Sequence, residues 1–557
     1  MRVAEADSGR RRVPPRTPLL LALTAGPAAA EAAILAVLGD RAAVGRAAQV
    51  TAPSPFGVFH DLRWVFVYHD SWLAFAAELL GAVAVRTLLG VAIVVLVWPA
   101  ERSRPPMRRL VRTNLVVTVV SAVALAPWTA VTVAAGVTAL SWFAIGAMLA
   151  VLVLAPVLHR GPMTGAWWRG LPPPASVLWV VVTFAALTGT AVLVELAPGW
   201  ARVPVATAAG ALNAPLWRAL VRSAVLDGSW LPRVPTVPVA LVLLLAALAG
   251  SGVLARSGSA GAGRPPPPLL LRDGARPEHT VVYVGGYDSR YDGNTGYATD
   301  PAGRYPMPVQ RFSYAGLDNS GRPRPYTAAD THQPLTRSAE LLAAQVAEVH
   351  RRTGRPVALL GHSEGSLVVR TYLARHPYSG VEAVALLSPL PQPARVYYPP
   401  GDARTGWGIA TGWQLRIIFA AVARSGGAGI STDDAFVRSL LDAGPRYHYR
   451  MLCPVPGVRM IAFLPLLDAI TDPPGPEPRI PVVVVPERHA MDYGRAVTQR
   501  RLVAFLRGEP PDPTGYRGYR LLRAAGSAWQ APSLSPGLNP RWRDAGLDGG
   551  CGPAAAG

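Results

Sequence analysis

Lysine is missing from this 557-residue chain: all 54 basic residues are arginine. A bias that complete reflects coding composition, so arginine number says little about function. A nucleic-acid role for the net charge of +20 has no support, because no basic stripe interleaved with aromatics occurs outside the flanks of apolar segments. Charge itself is scarce. Only 16% of residues are charged while 50% are hydrophobic, against about a quarter charged in ordinary soluble domains, and this deficit points to membrane segments. Cysteine is nearly absent, with only Cys453 and Cys551. No CxxC pair or Cys/His cluster exists, which excludes a structural zinc site of the usual spacing. The two read either as separate thiols or as one disulfide, should that part of the chain face an oxidising compartment. No motif calls for a metal or a cofactor.

What is present divides into two halves. Residues 1–255 read as a multi-pass transmembrane domain. An arginine-rich arm precedes apolar stretches at Leu19 to Leu38, Trp72 to Trp98, Leu115 to about Val133, Val137 to Leu158, Val177 to Leu196 and Val237 to Ala255, about six spans. Val203 to Val225 carries Arg218 and Arg222 in its second half and reads as an interfacial helix. Glu31, Glu78 and Arg86 inside spans read as interhelical ion pairing or snorkelling rather than as an ion path. No pattern repeats between spans as in transporters built from inverted halves. Residues 256–278 are a linker, small residues followed by four prolines. Residues 279–508 alternate short apolar strands with helical stretches, the pattern of a mostly parallel sheet covered on both faces. Residues 391–455 interrupt that alternation as a helical cap. A Pro- and Gly-rich tail, expected to be poorly ordered, closes the chain at 509–557.

The chemistry concentrates at Pro356 to Arg370, PVALLGHSEGSLVVR. An apolar strand runs into Gly361-His362-Ser363-Glu364-Gly365, and a helix-like stretch follows. In that context G-x-S-x-G forces the serine onto a sharp strand-to-helix turn with its hydroxyl exposed. A serine hydroxyl is a weak nucleophile unless a base lies within hydrogen-bond reach and a carboxylate orients that base. His489 is the candidate base, four residues past the Val482 to Val485 strand. Asp468 is the candidate acid, just past the Val458 to Leu464 strand, with Asp472 as its rival. The backbone amides of Glu364 and Tyr287 are the candidate oxyanion donors, the second in the loop VGGYDS after the first strand. In the cap, Trp407, Trp413 and Phe419 frame an apolar helix suited to lining an acyl site.

GHSEGS at 361–366, VGGYDS at 284–289 and the order Ser363, Asp468, His489 resemble the α/β-hydrolase superfamily of serine hydrolases over roughly residues 279 to 507. The resemblance implies an eight-stranded, mostly parallel sheet with a cap after the sixth strand. It also implies Ser363 as nucleophile, Asp468 as acid, His489 as base, and the amides of Tyr287 and Glu364 at the oxyanion. Many relatives have a histidine where Gly285 stands, and the membrane half resembles no family. The expected function is hydrolysis of a carboxylic ester, of a lipid or another apolar acyl group, at a membrane. The alternative is a transporter or sensor whose hydrolase-like domain only binds. Expected partners are the ester and membrane lipid, without nucleic acid. The arginine distribution puts the amino terminus in the cytosol. Six spans then leave the α/β domain cytosolic, the expectation adopted. A seventh span at Val203 to Val225 would put it outside and make a disulfide plausible.

Overall fold

The structure is a computed structural model. It describes residues 16–138, 148–149, 151–159, 169–236, 238–243, 245–246, 270–271, 279–293, 305–306, 309–377, 380–424, 431–470, 477–487, 489, 496–510, 515–543 and 551. The chain forms two compact units. One comprises residues 1–60, 81–122 and 152–240, the other residues 61–80, 123–151 and 241–557.

The first unit is helical. Its chain runs through α1 (Arg16–Val37), α2 (Phe56–Val67), α3 (Trp72–Val97), α4 (Met107–Thr138), α5 (Pro174–Leu196) and α6 (Arg202–Leu226), with α2, α3 and α4 continuing into the second unit. Among the described residues four helices are long and apolar enough to cross a membrane: Arg16–Val37, Trp72–Val97, Met107–Val133 and Pro174–Leu196. Between α1 and α2 a 3-10 segment, Val44–Thr51, is buried against them rather than spread on a surface. Thr51 donates to the Thr24 carbonyl at 2.9 Å, and Asn213 of α6 donates to the Ala48 carbonyl at 2.7 Å. Glu31 is paired with His60 at 3.1 Å, and Arg86 donates to the Val50 carbonyl at 2.7 Å. These intraspan charges therefore have local partners, as an apolar surrounding demands. Helix α6 departs from the interfacial reading. Its Ala206, Ala209, Gly210, Asn213, Leu216 and Trp217 are buried. A side chain at Gly210 would come within 2.8 Å of the Thr24 carbonyl and would overlap Ala28. Small residues let α6 close on α1 backbone to backbone, which arginine spacing alone does not reveal. A short antiparallel pair, β1 (Arg169–Leu171) with β2 (Trp230–Pro235), brackets α5 and α6.

The second unit is α/β. Apart from a minor two-stranded ladder of β3 (Leu270–Leu271) and β5 (Tyr305–Pro306), its strands are β4 (Thr280–Val284), β6 (Val309–Arg311), β7 (Val357–His362), β8 (Val381–Leu387), β9 (Arg459–Pro465) and β10 (Val482–Val485). They make one six-stranded sheet of order β10-β9-β8-β7-β4-β6, parallel throughout. The expected eight strands are corrected to six among the described residues. Helices α7 (Leu335–Thr353) and α8 (Glu364–Arg375) flank β7, and α9 (Ile409–Arg424), α10 (Ala435–Asp442) and α11 (Gly444–Arg450) form the insertion between β8 and β9. In α7, Leu335, Ala339, Leu342, Val346 and Val349 are buried at alternating spacings of four and three, one helical stripe facing the sheet. On the other side, Leu502, Phe505 and Leu506 of α12 (Ala496–Leu506) pack against Val281, Leu360, Ala385, Ile461 and Val483. Both faces being covered explains why the strands read as unbroken apolar runs.

Past the sheet the described residues 515–543 are built into the domain, where poor order was expected. They form α13 (Tyr516–Ser527) and α14 (Pro540–Arg543), anchored by buried Tyr519, Trp529, Leu534 and Trp542. These few large apolar side chains outweigh the local Pro/Gly composition. Cys551 is bonded to Cys453, with Cα atoms 5.4 Å apart, which resolves the thiol alternatives in favour of a disulfide.

Candidate active site

The chain leaves β4 for the edge strand β6 and then returns to β7 on β4's other side. At such a switch the two following loops diverge and open a crevice beyond the carboxyl ends of the strands. Ser363 follows β7 there and the Gly285-Gly286-Tyr287 loop follows β4. Asp468 follows β9 and His489 follows β10, at the same end of the sheet.

Ser363 occupies a strained conformation, φ 51° and ψ −117°, and is the residue from which α8 starts. A non-glycine residue with positive φ persists only where the surroundings dictate it. Here they do. The Ser363 amide donates to the Leu387 carbonyl at 3.0 Å, and the Ser366 amide donates to the Ser363 carbonyl at 3.0 Å. The flanking glycines are required by contact. A Cβ on Gly361 would lie 2.8 Å from the Gly365 carbonyl oxygen, and one on Gly365 would overlap the Val284 carbonyl and lie 2.8 Å from that of Gly285. Helix α8 thus starts pressed on the end of β4, and this closeness brings the serine beside the β4 loop: a Cβ on Gly286 would sit 3.0 Å from that of Ser363.

The three side chains singled out from the sequence meet. Ser363 Oγ is 2.8 Å from His489 Nε2, and His489 Nδ1 is 2.7 Å from Asp468 Oδ2. A carboxylate accepts from Nδ1–H, which leaves the Nε2 lone pair to accept from the serine hydroxyl. Asp468 is buried, so its negative charge acts on the imidazole with little solvent screening. The rival acid Asp472 lies outside the described residues.

Three further features were not read from the sequence. Glu364, next to the serine, is 1% exposed and neither carboxyl oxygen has a hydrogen-bond partner among the described residues. Burial, reinforced by the charge of Asp288, holds its pKa well above the usual carboxylate range. The protonated form is thereby favoured over the charge its letter suggests. His362 does not turn away from the site, as its position in the strand suggests. It lies with its ring 6.1 Å from that of His489, its pKa lowered to about 3 by burial and by His489. It is therefore neutral across the physiological range, and no bond joins it to Ser363. The third feature is a cluster around Tyr287. Its ring stacks on His332 with centroids 4.4 Å apart, and its hydroxyl donates to Asp434 of the cap. His332 bridges Asp288 at 2.7 Å and Asp434 at 3.3 Å. The candidate oxyanion loop is thereby tied to the insertion. Nothing in the spacing of residues 287, 332 and 434 announces this.

The cap aromatics fall elsewhere. Trp413 lines an apolar groove of about 510 Å³ with Trp72, Ala403, Arg404 and Ile417. Trp407 donates to the Leu538 carbonyl at 3.1 Å, and Phe419 is half-buried on α9. None of these contacts involves Ser363. The described residues contain no cluster of His, Cys, Asp or Glu able to hold a metal ion.

Comparison with protein-family models, with curated proteins and with solved structures found no match to this chain.

Proposed function

We propose that this protein is a membrane-anchored serine hydrolase that cleaves a carboxylic ester through an acyl-enzyme. The observation that carries the reading is the continuous pair of hydrogen bonds, Asp468 to His489 to Ser363, at 2.7 and 2.8 Å. In this mechanism the ester carbonyl lies over Ser363 with its oxygen toward the amides of Tyr287 and Glu364. His489 takes the serine proton as Oγ bonds to the carbonyl carbon, and Asp468 stabilises the imidazolium that forms. The developing negative oxygen is met by the two amides. A neutral Glu364 suits that role, since an ionised carboxylate at this position would oppose the oxyanion. Collapse of the tetrahedral intermediate expels the alcohol, which receives the proton from His489. Water then repeats the cycle on the acyl-enzyme and releases the acid.

Helices apolar enough to cross a membrane support an ester of an apolar acyl group, drawn from the lipid phase, as substrate. Trp72 is the first residue of a helix apolar enough to cross a membrane, and tryptophan at a span end sits at headgroup level. Medium-chain esters are then hydrolysed faster than acetyl esters. The purified full chain, treated with a fluorophosphonate, should be labelled once, and Ser363→Ala should abolish both labelling and ester hydrolysis while leaving the fold intact. Full esterase activity in Ser363→Ala would overturn the proposal.

A further inference from the structure

The loop after β4 carries one of the two proposed oxyanion donors, and it has little of its own to hold it. Gly285 and Gly286 leave its backbone free to turn. Asp288 takes a positive φ of 60°, which a residue with a side chain keeps only where its surroundings dictate it. Those surroundings belong to other elements of the α/β unit. We infer that the insertion between β8 and β9, acting through Asp434, sets the position of the Tyr287 amide, so that the oxyanion site is complete only while the insertion is seated. The Tyr287 hydroxyl, His332 and Asp434 are then positioning residues for ester hydrolysis, a role that rests on the hydrolase reading.

The amides just past Tyr287 are engaged. That of Asp288 donates to Thr331 Oγ1 at 3.0 Å, and that of Ser289 donates to the Gly286 carbonyl at 3.1 Å. The Tyr287 amide donates to no group among the described residues, which leaves it for a ligand oxygen. It belongs to the peptide joining Gly286 to Tyr287. Stiffening the loop at Gly286 would crowd the nucleophile, since a Cβ there would lie 3.0 Å from Ser363 Cβ and 3.3 Å from His362 Nδ1. The anchoring therefore falls to the Tyr287 side chain.

That side chain is held by residues remote in sequence. One face of its ring stacks on His332, with centroids 4.4 Å and planes 4° apart. Phe436 of α10 packs against it with centroids 5.4 Å apart. The hydroxyl donates to Asp434 Oδ2. Burial first, and then that bond, raise the hydroxyl's pKa above its usual value, so it stays the donor. A hydrogen bond to a carboxylate is stronger than a neutral one, and it fixes the rotation of the ring as stacking alone does not.

The anchoring oxygen is itself fixed. Asp434 is the residue from which α10 starts, and its Oδ2 also accepts from the Ser431 amide at 3.3 Å. His332 connects this point back to the loop, with Nε2 2.7 Å from Asp288 Oδ1 and Nδ1 3.3 Å from Asp434 Oδ2. It ends the 3-10 helix Ala328–His332, whose start is closed by a capping box between Thr327 and Asp330. The Leu335 amide, at the start of α7, donates to Ser439 Oγ of α10 at 3.1 Å. The β4 loop, the 3-10 turn and the insertion thus meet at one carboxylate oxygen.

The test uses the full chain and a medium-chain ester. Tyr287→Phe removes the hydroxyl and keeps the stacked ring; Asp434→Ala removes the acceptor. Each should lower kcat by about ten- to a hundredfold, part of the about 10²- to 10³-fold that a lost oxyanion donor costs. KM should stay within about threefold, because neither group touches the acyl chain. The double variant should lose no more than the worse single one, since both cut the same link. Asp434→Asn keeps an oxygen for the hydroxyl and should return kcat to within about fivefold of wild type. A trifluoromethyl ketone, whose tetrahedral adduct places an oxyanion in the site, should bind more weakly in step with kcat. An unchanged kcat in Tyr287→Phe overturns the inference, and so do losses that multiply in the double variant. A lowered thermal midpoint with kcat intact overturns it too, marking the cluster as structural. If Ser363→Ala keeps esterase activity, the hydrolase reading fails; if Ser363 is essential and these variants are silent, only the role of the insertion fails.

Discussion

Asp468→Asn is the sharpest test of the proposed chemistry, because it changes a charge and almost no volume. In the resting site Asp468 Oδ2 accepts from His489 Nδ1 at 2.7 Å, and Nε2 faces Ser363 Oγ at 2.8 Å. When the serine proton moves, a cation forms beside the carboxylate. Two unit charges about 4 Å apart at an effective dielectric near 20 attract by about 4 kcal/mol. At about 1.4 kcal/mol per tenfold, losing that attraction slows the step about 10³-fold. A second effect adds to it. The asparagine amide can donate to Nδ1, which fixes the imidazole proton on Nε2 and removes the acceptor that Ser363 needs. Together the two give a fall in kcat of about 10³- to 10⁴-fold, as expected when a triad aspartate loses its charge. KM should change by less than about threefold, because Asp468 contacts the histidine and not the substrate. The assay is steady-state hydrolysis of a medium-chain ester, with the rate of fluorophosphonate labelling as a binding-independent check. A loss of less than about tenfold would refute the reasoning. If Asp472→Asn proved the damaging change instead, the acid would be reassigned and the serine–histidine pair kept.

Two more outcomes follow from contacts at the same site. Gly365→Ala places a methyl group into the carbonyls of Val284 and Gly285; since backbone cannot swing aside, the thermal midpoint should drop by several degrees and labelling of Ser363 should be lost, and an unshifted midpoint would show that α8 is not pressed on β4. Glu364→Gln replaces a buried acid by a neutral amide. Because the folded pKa of Glu364 is raised, the native state binds more protons than the unfolded chain above the unfolded value, so wild-type stability falls as pH climbs from about 4.5 towards the folded pKa. The variant should be the more stable at pH 8, with the advantage shrinking towards pH 4 in thermal melts; a constant difference across that range contradicts a protonated Glu364.

The candidate trio was legible because each member follows a strand, and in a parallel sheet every strand delivers its following loop to the same end. Ser363 was marked further by two glycines whose contact with backbone leaves no alternative residue. The eight-strand expectation came from the resemblance rather than from the residues, and the described residues form six parallel strands. The ordered carboxyl-terminal region was missed because a few buried aromatics, Trp529 and Trp542 among them, decide the state of a segment whose average composition suggests none.

The sequence by itself determined that an apolar helical half precedes an α/β half, that the sheet is parallel, and that Ser363, His489 and Asp468 are placed to meet. Those are consequences of local periodicity and of strand polarity. Only the tertiary structure decided that Cys453 joins Cys551, that α6 lies against α1 instead of along a surface, that residues 61–71 belong to the α/β unit, and that burial raises the pKa of Glu364. Each of these depends on which distant groups come into contact and how much water they exclude, and neither quantity is a property of any stretch of sequence.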